Sequence, residues 1–484
     1  MVFSPKNIFF NSFKTFNQYQ SDYVYSDQTS RADRKIFYQL QIRLCVITEQ
    51  HTGRERDDRP GILALRLCPD FLDRVKKPQL VVAVTGTNGK TTISNLVSNI
   101  LNLEGKKVAY NTWGANYKAG QARCLLDAVS IFNRPTKDAA VVEVDELLSY
   151  KTLPWIQPNY VIVTNICRDS IRRNAHQDLI FSRINEGVSK LPNATLILNA
   201  DDPNSSFLGE NNNKRFFAIA DQHADVFETN VSDFPVCPKC GTIPVFNYRH
   251  YRAIGNFYCP HCGLKSKTGD FIGTKLDFDK REMLVKEKDG EFKYPLVSDT
   301  IFNAFNIMAI ITLFRTIGYS PEVIAEHIKH IKLPENRVAC EDLGKIKMYT
   351  FSAKGQNVSA ASTVFEYLAK EPSKKELILL LDEHYGDDPN IETITWLYET
   401  DFEYLKNENI KKIIVAGQRY LDYKLRLRLA GIPVEKTVCV FDEQTIPDYV
   451  STDGIESIYV LHDVTTVLRA KKIKDKIKEK ITNQ

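Results

Sequence analysis

Four cysteines in this 484-residue chain have the spacing of a metal site. They form two Cys-Pro-X-Cys-Gly segments with 18 residues between the pairs, namely Cys237 and Cys240, then Cys259 and Cys262. A C-x₂-C turn directs two thiolates toward one point, and two such turns supply the four sulfur ligands that tetrahedral Zn²⁺ accepts. We therefore predict a structural zinc ribbon that serves as a packing module. Its coordination shell is filled, so His261 is a solvated neighbour rather than a ligand.

A second segment has the composition of a phosphate-binding loop. It consists of Gly86, Thr87, Asn88, Gly89, Lys90, Thr91 and Thr92. The apolar run 80–85 predicts a strand and the run 93–103 has helical spacing, so the loop lies in the strand, loop and helix order that phosphate binding requires. Lys90 can reach the outer phosphates of ATP and Thr91 can offer its hydroxyl to Mg²⁺. Val84 stands where the strict motif has its first glycine.

Carboxylates follow another apolar run, at residues 138–146. Strand alternation places Glu143 and Asp145 on one face, and oxygen ligands beside a phosphate loop are typical of magnesium sites. We expect Glu143 to bind the ion, with Asp145 or Glu146 as alternatives and a solvated strand end as the competing interpretation. Runs at 160–165 and 195–199 also end in polar residues, which favours an α/β fold with a doubly wound parallel sheet.

Composition limits the classes of function. The net charge is only +4, from 64 basic and 60 acidic residues. This balance does not produce the positive electrostatic field that attracts nucleic acid. No apolar run approaches the roughly 18 residues that span a bilayer, and no secretion signal opens the chain. The thiols together with an ATP site indicate a reducing cytoplasm, and the length predicts two to three domains.

Taken in order, several short motifs resemble those of the Mur ligase superfamily, whose ATP-dependent members form amide bonds on cell-wall precursors. The motifs lie at 86–92, 164–165, 199–203, 303–306 and 336–337. The inserted cysteine ribbon makes the resemblance more specific, because it is similar to that of the MurT branch, the subunits of lipid II isoglutaminyl synthase. The similarity extends from about residue 60 to the C-terminus.

This resemblance implies three segments. Residues 1–58 would be an N-terminal extension, a docking arm or a surface anchor, in place of the UDP-recognising domain of Mur ligases proper. Residues 59–333 would be the Mur-ligase-type central ATP-binding domain, interrupted by the zinc ribbon at 232–272. Residues 336–484 would be the C-terminal α/β domain.

The resemblance also implies a reaction. ATP would phosphorylate a carboxylate, and ammonia would then attack the acyl phosphate. The substrate would be the α-carboxylate of D-glutamate in the stem peptide of a lipid-linked peptidoglycan precursor, met at the inner face of the membrane. Ammonia would come from a separate glutaminase, a GatD-like subunit, in a heterodimer.

The resemblance assigns roles to individual residues. Lys90 would hold the transferred phosphate, and Thr91 and Glu143 the magnesium. The nucleotide contacts would be made by residues 86–92 and by Asn199, Asp202, Asn303, Asn306 and Arg337.

A carboxylate of the C-terminal domain would orient the catalytic histidine of the glutaminase. Here that segment is apparently three residues longer than in the family. Glu392 is the nearest candidate, Asp387 and Asp388 come next, and a solvent-facing loop is the competing interpretation.

Two further departures from the family pattern leave alternatives open. Ser170 follows Asp169 where the family has a histidine metal ligand, which His176 could replace if it is not simply solvated. The family's Lys-Asn-Pro stretch is Lys-Gly-Gln at 354–356.

Two alternative functions for the whole chain stay open. One is a Mur-type ligase that adds an amino acid, and the other is a non-catalytic paralogue that serves as a binding partner.

Overall fold

The computed structural model describes residues 58–111, 115–168, 176–223, 228–230, 232–298, 300–331, 338–353, 357–381, 394–463 and 466–482. The N-terminal extension up to residue 57 lies outside this set. So do Asp169, Ser170 and residues 354–356, as well as Arg337, Glu392, Asp387 and Asp388, and their assignments stay predictions.

A nine-stranded sheet is the frame of the first domain. Its strand order is β11-β10-β9-β6-β5-β4-β1-β3-β2. The first domain contains β1 (Leu80–Thr85), β2 (Val108–Tyr110), β3 (Ala139–Glu143), β4 (Tyr160–Val163), β5 (Thr195–Asn199), β6 (Asn213–Ile219), β7 (Val245–Tyr251), β8 (Ile254–Tyr258), β9 (Phe271–Asp277), β10 (Glu282–Glu287) and β11 (Gly290–Pro295). Across this sheet, the pairings that run from β2 through β3, β1, β4, β5 and β6 to β9 are all parallel. The β9–β10 and β10–β11 pairings are antiparallel.

Helices cover both faces of this sheet. They are α1 (Arg59–Leu67), α2 (Phe71–Arg74), α3 (Lys90–Leu103), α4 (Lys118–Asp127), α5 (Ser149–Ile156), α6 (Gln177–Ser189), α7 (Ile301–Ile317) and α8 (Pro321–Lys329). The side chains of β1 alternate between the two faces of the sheet. Val81 and Ala83 pack in the core under α1, α4 and α6. Val82 and Val84 pack in the core under α3 and α7. A strand that is buried on both faces needs continuous apolar sequence, and β1 has it.

The four-cysteine segment is a separate two-stranded unit between β6 and β9, in which β7 and β8 pair antiparallel. Phe257 is fully buried there and packs against Phe234 and Phe246. The unit therefore has a small aromatic core of its own.

The C-terminal domain is a second α/β sandwich, with strand order β12-β13-β17-β14-β15-β16 and one antiparallel pairing, β12–β13. Its strands are β12 (Val338–Asp342), β13 (Lys347–Ser352), β14 (Lys375–Leu380), β15 (Ile410–Ala416), β16 (Thr437–Val440) and β17 (Ser457–His462). Its helices are α9 (Val358–Lys370), α10 (Thr395–Glu399), α11 (Tyr420–Leu429), α12 (Ile446–Tyr449) and α13 (Val467–Thr482).

The expected fold class is confirmed: a parallel α/β sheet in the central domain, a four-cysteine insertion and a C-terminal α/β domain. Two strands are shorter than the apolar runs suggested. Strand β3 ends at Glu143 and β4 ends at Val163, because the residues that follow turn toward the phosphate loop. Within the described ranges, no helix has the length and apolar content that a membrane crossing needs.

Two adjacent carboxylates after β5 are buried beneath the sheet edge. Burial raises the pKa of Asp201 to about 7 and the pKa of Asp202 to about 6. Asp201 accepts a hydrogen bond from the Ile219 N–H at 2.7 Å, and Asp202 accepts one from the Ile166 N–H at 2.7 Å. The two side chains thus connect the chain after β5 to the end of β6 and to the chain beyond β4, and the folded state favours their protonated forms.

These raised pKa values make stability depend on pH. Between pH 4 and the folded-state pKa, the unfolded chain has released a proton that the folded chain keeps. The free energy of unfolding then falls by about 1.4 kcal/mol per pH unit for each group. We expect Asp201→Asn to gain stability relative to wild type as pH rises from 5 to 7, measured by urea denaturation at each pH. The exposed Asp289→Asn is the control, and parallel curves for Asp201→Asn and wild type would contradict the expectation.

Candidate nucleotide and metal sites

The phosphate loop connects β1 to the N-terminus of α3. Gly86 has φ +119° and Gly89 has φ +90°, so both occupy the left-handed region that glycine tolerates best. A Cβ on Gly86 would come within 2.3 Å of Thr164 Oγ1, and a Cβ on Gly89 within 2.7 Å of Asn306 Oδ1. Backbone geometry favours glycine at both positions. Close contacts with backbone atoms also require it at Gly86, whereas the contact at Gly89 is with the end of one side chain.

Lys90 begins α3 and folds back over the loop. Its Nζ donates to Gly86 O at 2.6 Å and to Thr87 O at 3.1 Å, and it forms an ion pair with Glu146 Oε2 at 2.7 Å. The side chain of Glu146 is 1% exposed. Glu146 pairs with the lysine and orients it, and its role as an alternative magnesium ligand stays a prediction.

The two predicted magnesium ligands lie together. Thr91 Oγ1 donates to Glu143 Oε1 at 3.2 Å, and the carboxylate is buried at the end of β3 while the threonine faces solvent. Hydroxyl and carboxylate oxygens are ligands that Mg²⁺ prefers. Asp145 differs from this pair, because its Oδ1 accepts from the Leu147 N–H and so fixes the turn after β3.

A neighbouring strand end holds the loop in place. Asn165 accepts from the Asn88 N–H at 3.2 Å and donates to Asn88 O at 3.1 Å. Thr87 Oγ1 donates to Cys167 O at 3.0 Å and accepts from the Cys167 N–H at 3.1 Å. Asn165 belongs to the 164–165 motif but was not among the predicted site residues, and its contact with the loop spans 77 residues of sequence.

Asn303 and Asn306 lie on the first two turns of α7, and Asn306 faces the loop. Asn306 Nδ2 donates to Asn303 Oδ1 at 3.1 Å, and Asn303 Nδ2 donates to Thr300 Oγ1 at 3.1 Å. With Asn306 against Gly89, the structure brings both asparagines to the predicted nucleotide site. Thr92, the residue after Thr91 on α3, is half-buried.

Two other predicted contacts are less accessible. Asn199 ends β5 fully buried, with its Oδ1 accepting from the Asp201 N–H at 3.0 Å. Asp202 is also fully buried, and both of its oxygens accept backbone N–H groups. Both residues stabilise the edge of the sheet on which the site is built, and direct nucleotide contact by them stays a prediction.

His176 is exposed at the N-cap of α6. Its Nδ1 accepts a hydrogen bond from the Asp178 N–H at 3.4 Å, which is a local contact that caps the helix. That His176 replaces the family's histidine ligand stays a prediction.

The four cysteines converge. Their sulfur atoms lie within 4.8 Å of one another, with Cys237 and Cys262 3.6 Å apart and Cys240 and Cys259 3.4 Å apart. Sulfurs bound tetrahedrally at about 2.3 Å from zinc lie roughly 3.8 Å apart, so the cluster fits such an ion.

The two cysteine turns have the same backbone geometry. Gly241 and Gly263 follow the second cysteine of each pair in left-handed backbone, with φ +74° and +72°. The N–H of each glycine donates to the carbonyl of the first cysteine of its turn. Hydrogen bonds with Thr242 lower the pKa of Cys240 to about 5. The pKa of Cys262 is raised to about 12, because burial and the other three sulfurs outweigh a hydrogen bond from Leu264. A metal ion would displace the protons that such a cluster retains.

Comparison with known proteins gives a consistent result. Residues 84–257 match the family model of the Mur ligase middle domain, and residues 355–467 match that of the MurT ligase C-terminal domain. The chain is 29% identical over 385 residues to the MurT subunit of lipid II isoglutaminyl synthase (glutamine-hydrolyzing) from Staphylococcus aureus strain COL, covering 79% of this chain and 85% of the relative. It is 28% identical to the corresponding subunit from Streptococcus pneumoniae strain R6, covering 86% and 91%.

A solved structure has the same fold. A pseudomurein peptide ligase type C from Methanothermus fervidus superposes with a TM-score of 0.60 at 20% identity, covering 84% of this chain and 80% of that one. At this identity the likeness concerns the fold alone.

The cysteine geometry generates a direct test. We expect elemental analysis of the purified chain to find about one equivalent of a thiophilic divalent cation. Cys259→Ser should lose the ion and unfold the ribbon, because a neutral hydroxyl replaces one of four thiolates. Hydrogen exchange in residues 245–258 would detect that unfolding.

The matched control is Cys340→Ser, at an exposed cysteine of β12 outside the cluster. A full metal content in Cys259→Ser, or an equal loss in Cys340→Ser, would contradict a four-sulfur site.

Proposed function

Because this chain belongs to the Mur ligase superfamily and has a MurT-type C-terminal domain, we propose that it is an ATP-dependent carbon–nitrogen ligase. Its substrate is the lipid II stem peptide, and its product carries D-isoglutamine in place of D-glutamate. The curated relatives named above are subunits of an enzyme with this activity, which is the reason for choosing this substrate.

One observation carries the proposal: the placement of Lys90 over the loop that ends β1. The loop carbonyls and Glu146 hold its ammonium group over the loop. From there it would contact the outer phosphates of a nucleotide bound in the loop. The N-terminus of α3 and the loop N–H groups add a field that favours an anion. Phosphoryl transfer needs positioning and charge neutralisation more than covalent help from the protein, and this arrangement provides both.

Magnesium would be held by Thr91 and Glu143, which already share a hydrogen bond. When bound, the ion would neutralise charge on the outer phosphates. Asn303 and Asn306 add polar groups on the opposite side of the loop, at hydrogen-bonding distance from each other. The carboxylate of the substrate attacks the terminal phosphate and ADP leaves. Ammonia then attacks the carbonyl carbon of the acyl phosphate, inorganic phosphate leaves, and the nitrogen loses a proton to give the amide.

Ammonia comes from a glutaminase partner of the GatD kind. The relatives are named as subunits of a glutamine-hydrolysing enzyme, so we assign glutamine hydrolysis to another subunit and amide formation to this chain. Zinc would be held by Cys237, Cys240, Cys259 and Cys262 and would stabilise the ribbon. The assembly acts on its lipid-linked substrate at the inner face of the membrane.

Replacing Lys90 tests this function. In an assay with lipid II, MgATP and ammonium chloride, mass spectrometry of the wild-type product should show amidation. Lys90→Met should lower kcat by roughly 10²–10³, because a positioned charge is lost from the transferred phosphate. Lys106→Met, at an exposed lysine beyond the end of α3, is the control and should behave as wild type.

The same assay separates the alternatives. Amide formation from a free amino acid but not from ammonium would favour an amino-acid-adding ligase. Failure of wild-type protein to bind MgADP would favour the non-catalytic paralogue, and either result would overturn the proposal.

Two glycines give a second, structural test. Gly86→Ala adds a methyl group that collides with Thr164 and with the Asn165 carbonyl, which must displace the loop. We expect MgADP binding, measured by calorimetry, to weaken by at least roughly tenfold. Gly105→Ala is the matched control, since Gly105 also has positive φ but a Cβ there meets nothing within 4 Å. Equal effects of both substitutions would show that backbone strain alone is responsible.

A further inference from the structure

The tip of the β7–β8 hairpin carries an unusual arginine. Arg252 is the first residue of the turn, it has φ +46°, and only 5% of its side chain is exposed. A non-glycine residue in left-handed backbone is strained, and such strain persists where the surroundings hold the residue in place. The tip of the hairpin therefore makes contacts that outweigh an unfavourable conformation.

Those contacts are two buried ion pairs. Arg252 Nε lies 3.0 Å from Asp233 Oδ2, and Arg252 Nη1 lies 3.3 Å from Asp401 Oδ2. Both carboxylates have side chains that are 1% exposed. Burial opposes the charge on Arg252, but the two carboxylates raise the pKa of the guanidinium above its ordinary value. The charge is thus fixed by its partners in a region that water does not reach.

The two carboxylates belong to different domains. Asp233 begins the ribbon, whereas Asp401 lies between α10 and the 3₁₀ helix Phe402–Leu405 in the C-terminal domain. Asp401 also accepts from the Asn230 N–H at 2.7 Å and donates its own N–H to Ser362 Oγ at 3.0 Å. Asp401 is therefore attached to both sides of the domain boundary.

A second contact crosses the boundary close by. Arg168 Nη1 donates to Glu399 Oε1 at 2.6 Å, and the Arg168 N–H donates to Asp233 Oδ1 at 2.9 Å. Cys167, the preceding residue, is hydrogen-bonded to Thr87 of the phosphate loop. A continuous set of hydrogen bonds thus connects the phosphate loop through Asp233 to Arg252 and the C-terminal domain.

The hairpin also contacts the helix that faces the loop. Tyr251 packs on Phe302 of α7 with ring centroids 4.2 Å apart, and His250 packs on Phe305 at 5.4 Å. The asparagines that face the phosphate loop, Asn303 and Asn306, are the next residues of α7. The hairpin is therefore seated on the central domain next to the nucleotide site while its tip holds the C-terminal domain.

We propose that Arg252 is a positioning residue that fixes the C-terminal domain relative to the phosphate loop. It acts through Asp401, not by touching substrate or nucleotide. The four-cysteine unit thereby presents one buried cation to a carboxylate of another domain, which is a more specific role than packing. The expected kinetic effect rests on the proposed ligase function, whereas the expected structural effect does not.

The variants Arg252→Met and Asp401→Asn, with the double variant, test the inference in the full-length chain. Arg252→Met should speed hydrogen exchange at residues 399–405 and enlarge the radius of gyration in small-angle scattering, because the domain boundary loses its central charge. MgADP affinity should stay within about twofold, since the phosphate loop is intact, while kcat should fall roughly 10- to 100-fold. Arg252→Lys should restore part of the loss.

The decisive comparison is between the double variant and the two single variants. If Arg252 acts through Asp401, the double variant should be no worse than the more severe single variant. Arg249→Met is the control, because Arg249 lies on the same hairpin with its guanidinium over Phe246, 4.3 Å from the ring centre. Should Arg252→Met lose its metal or its folded spectrum, Asp401→Asn alone carries the structural test.

Wild-type exchange at residues 399–405 in both single variants would overturn the proposal. Additive losses in the double variant, or a weakening of MgADP binding equal to the loss in kcat, would also overturn it. If the wild-type chain forms no amide at all, the ligase function fails, but exchange and scattering still decide the role of Arg252.

Discussion

The position of β1 between β3 and β4 is the constraint on which the rest of the structure depends. All three strands are largely apolar and buried, so their functional polar groups stand at the last residue of a strand or beyond it. Because the strands are parallel, those ends meet at one edge of the sheet. Lys90, the pair Glu143 and Glu146, and Asn165 come from three separate segments, and the shared edge brings them within hydrogen-bonding distance of one another or of the loop.

This constraint explains which features could be predicted from the sequence. The phosphate loop and the cysteine turns are local patterns, in which a few residues at fixed spacing determine the geometry. The parallel sheet followed from runs of apolar residues with polar ends. The resemblance to Mur ligases added Asn303 and Asn306, which stand more than 200 residues from the loop that they face.

Contacts between side chains that are distant in sequence could not be predicted in the same way. Glu146 pairs with Lys90 across 56 residues of sequence, and Asp202 accepts a hydrogen bond from a backbone N–H 36 residues away. Arg252 and Asp401 are separated by 149 residues and share no local pattern. The ribbon was interpreted as a packing module, and its aromatic core agrees with that view. Its contact with a second domain could not be inferred, because nothing near residue 252 in sequence indicates where the turn will lie.

The place of the ribbon in the sheet has a further consequence for how the chain folds. Strands β6 and β9 are parallel neighbours, and the segment between them is the crossover that every parallel pairing needs. Most crossovers are helices, which shorten the path by local hydrogen bonding. Here four sulfurs that bind one proposed ion would shorten the path instead. Without that ion, joining β6 to β9 would close a flexible loop of about 50 residues, at an entropic cost that grows with loop length. Metal supply would then influence how readily the last three strands are added to the sheet, long before any nucleotide is bound.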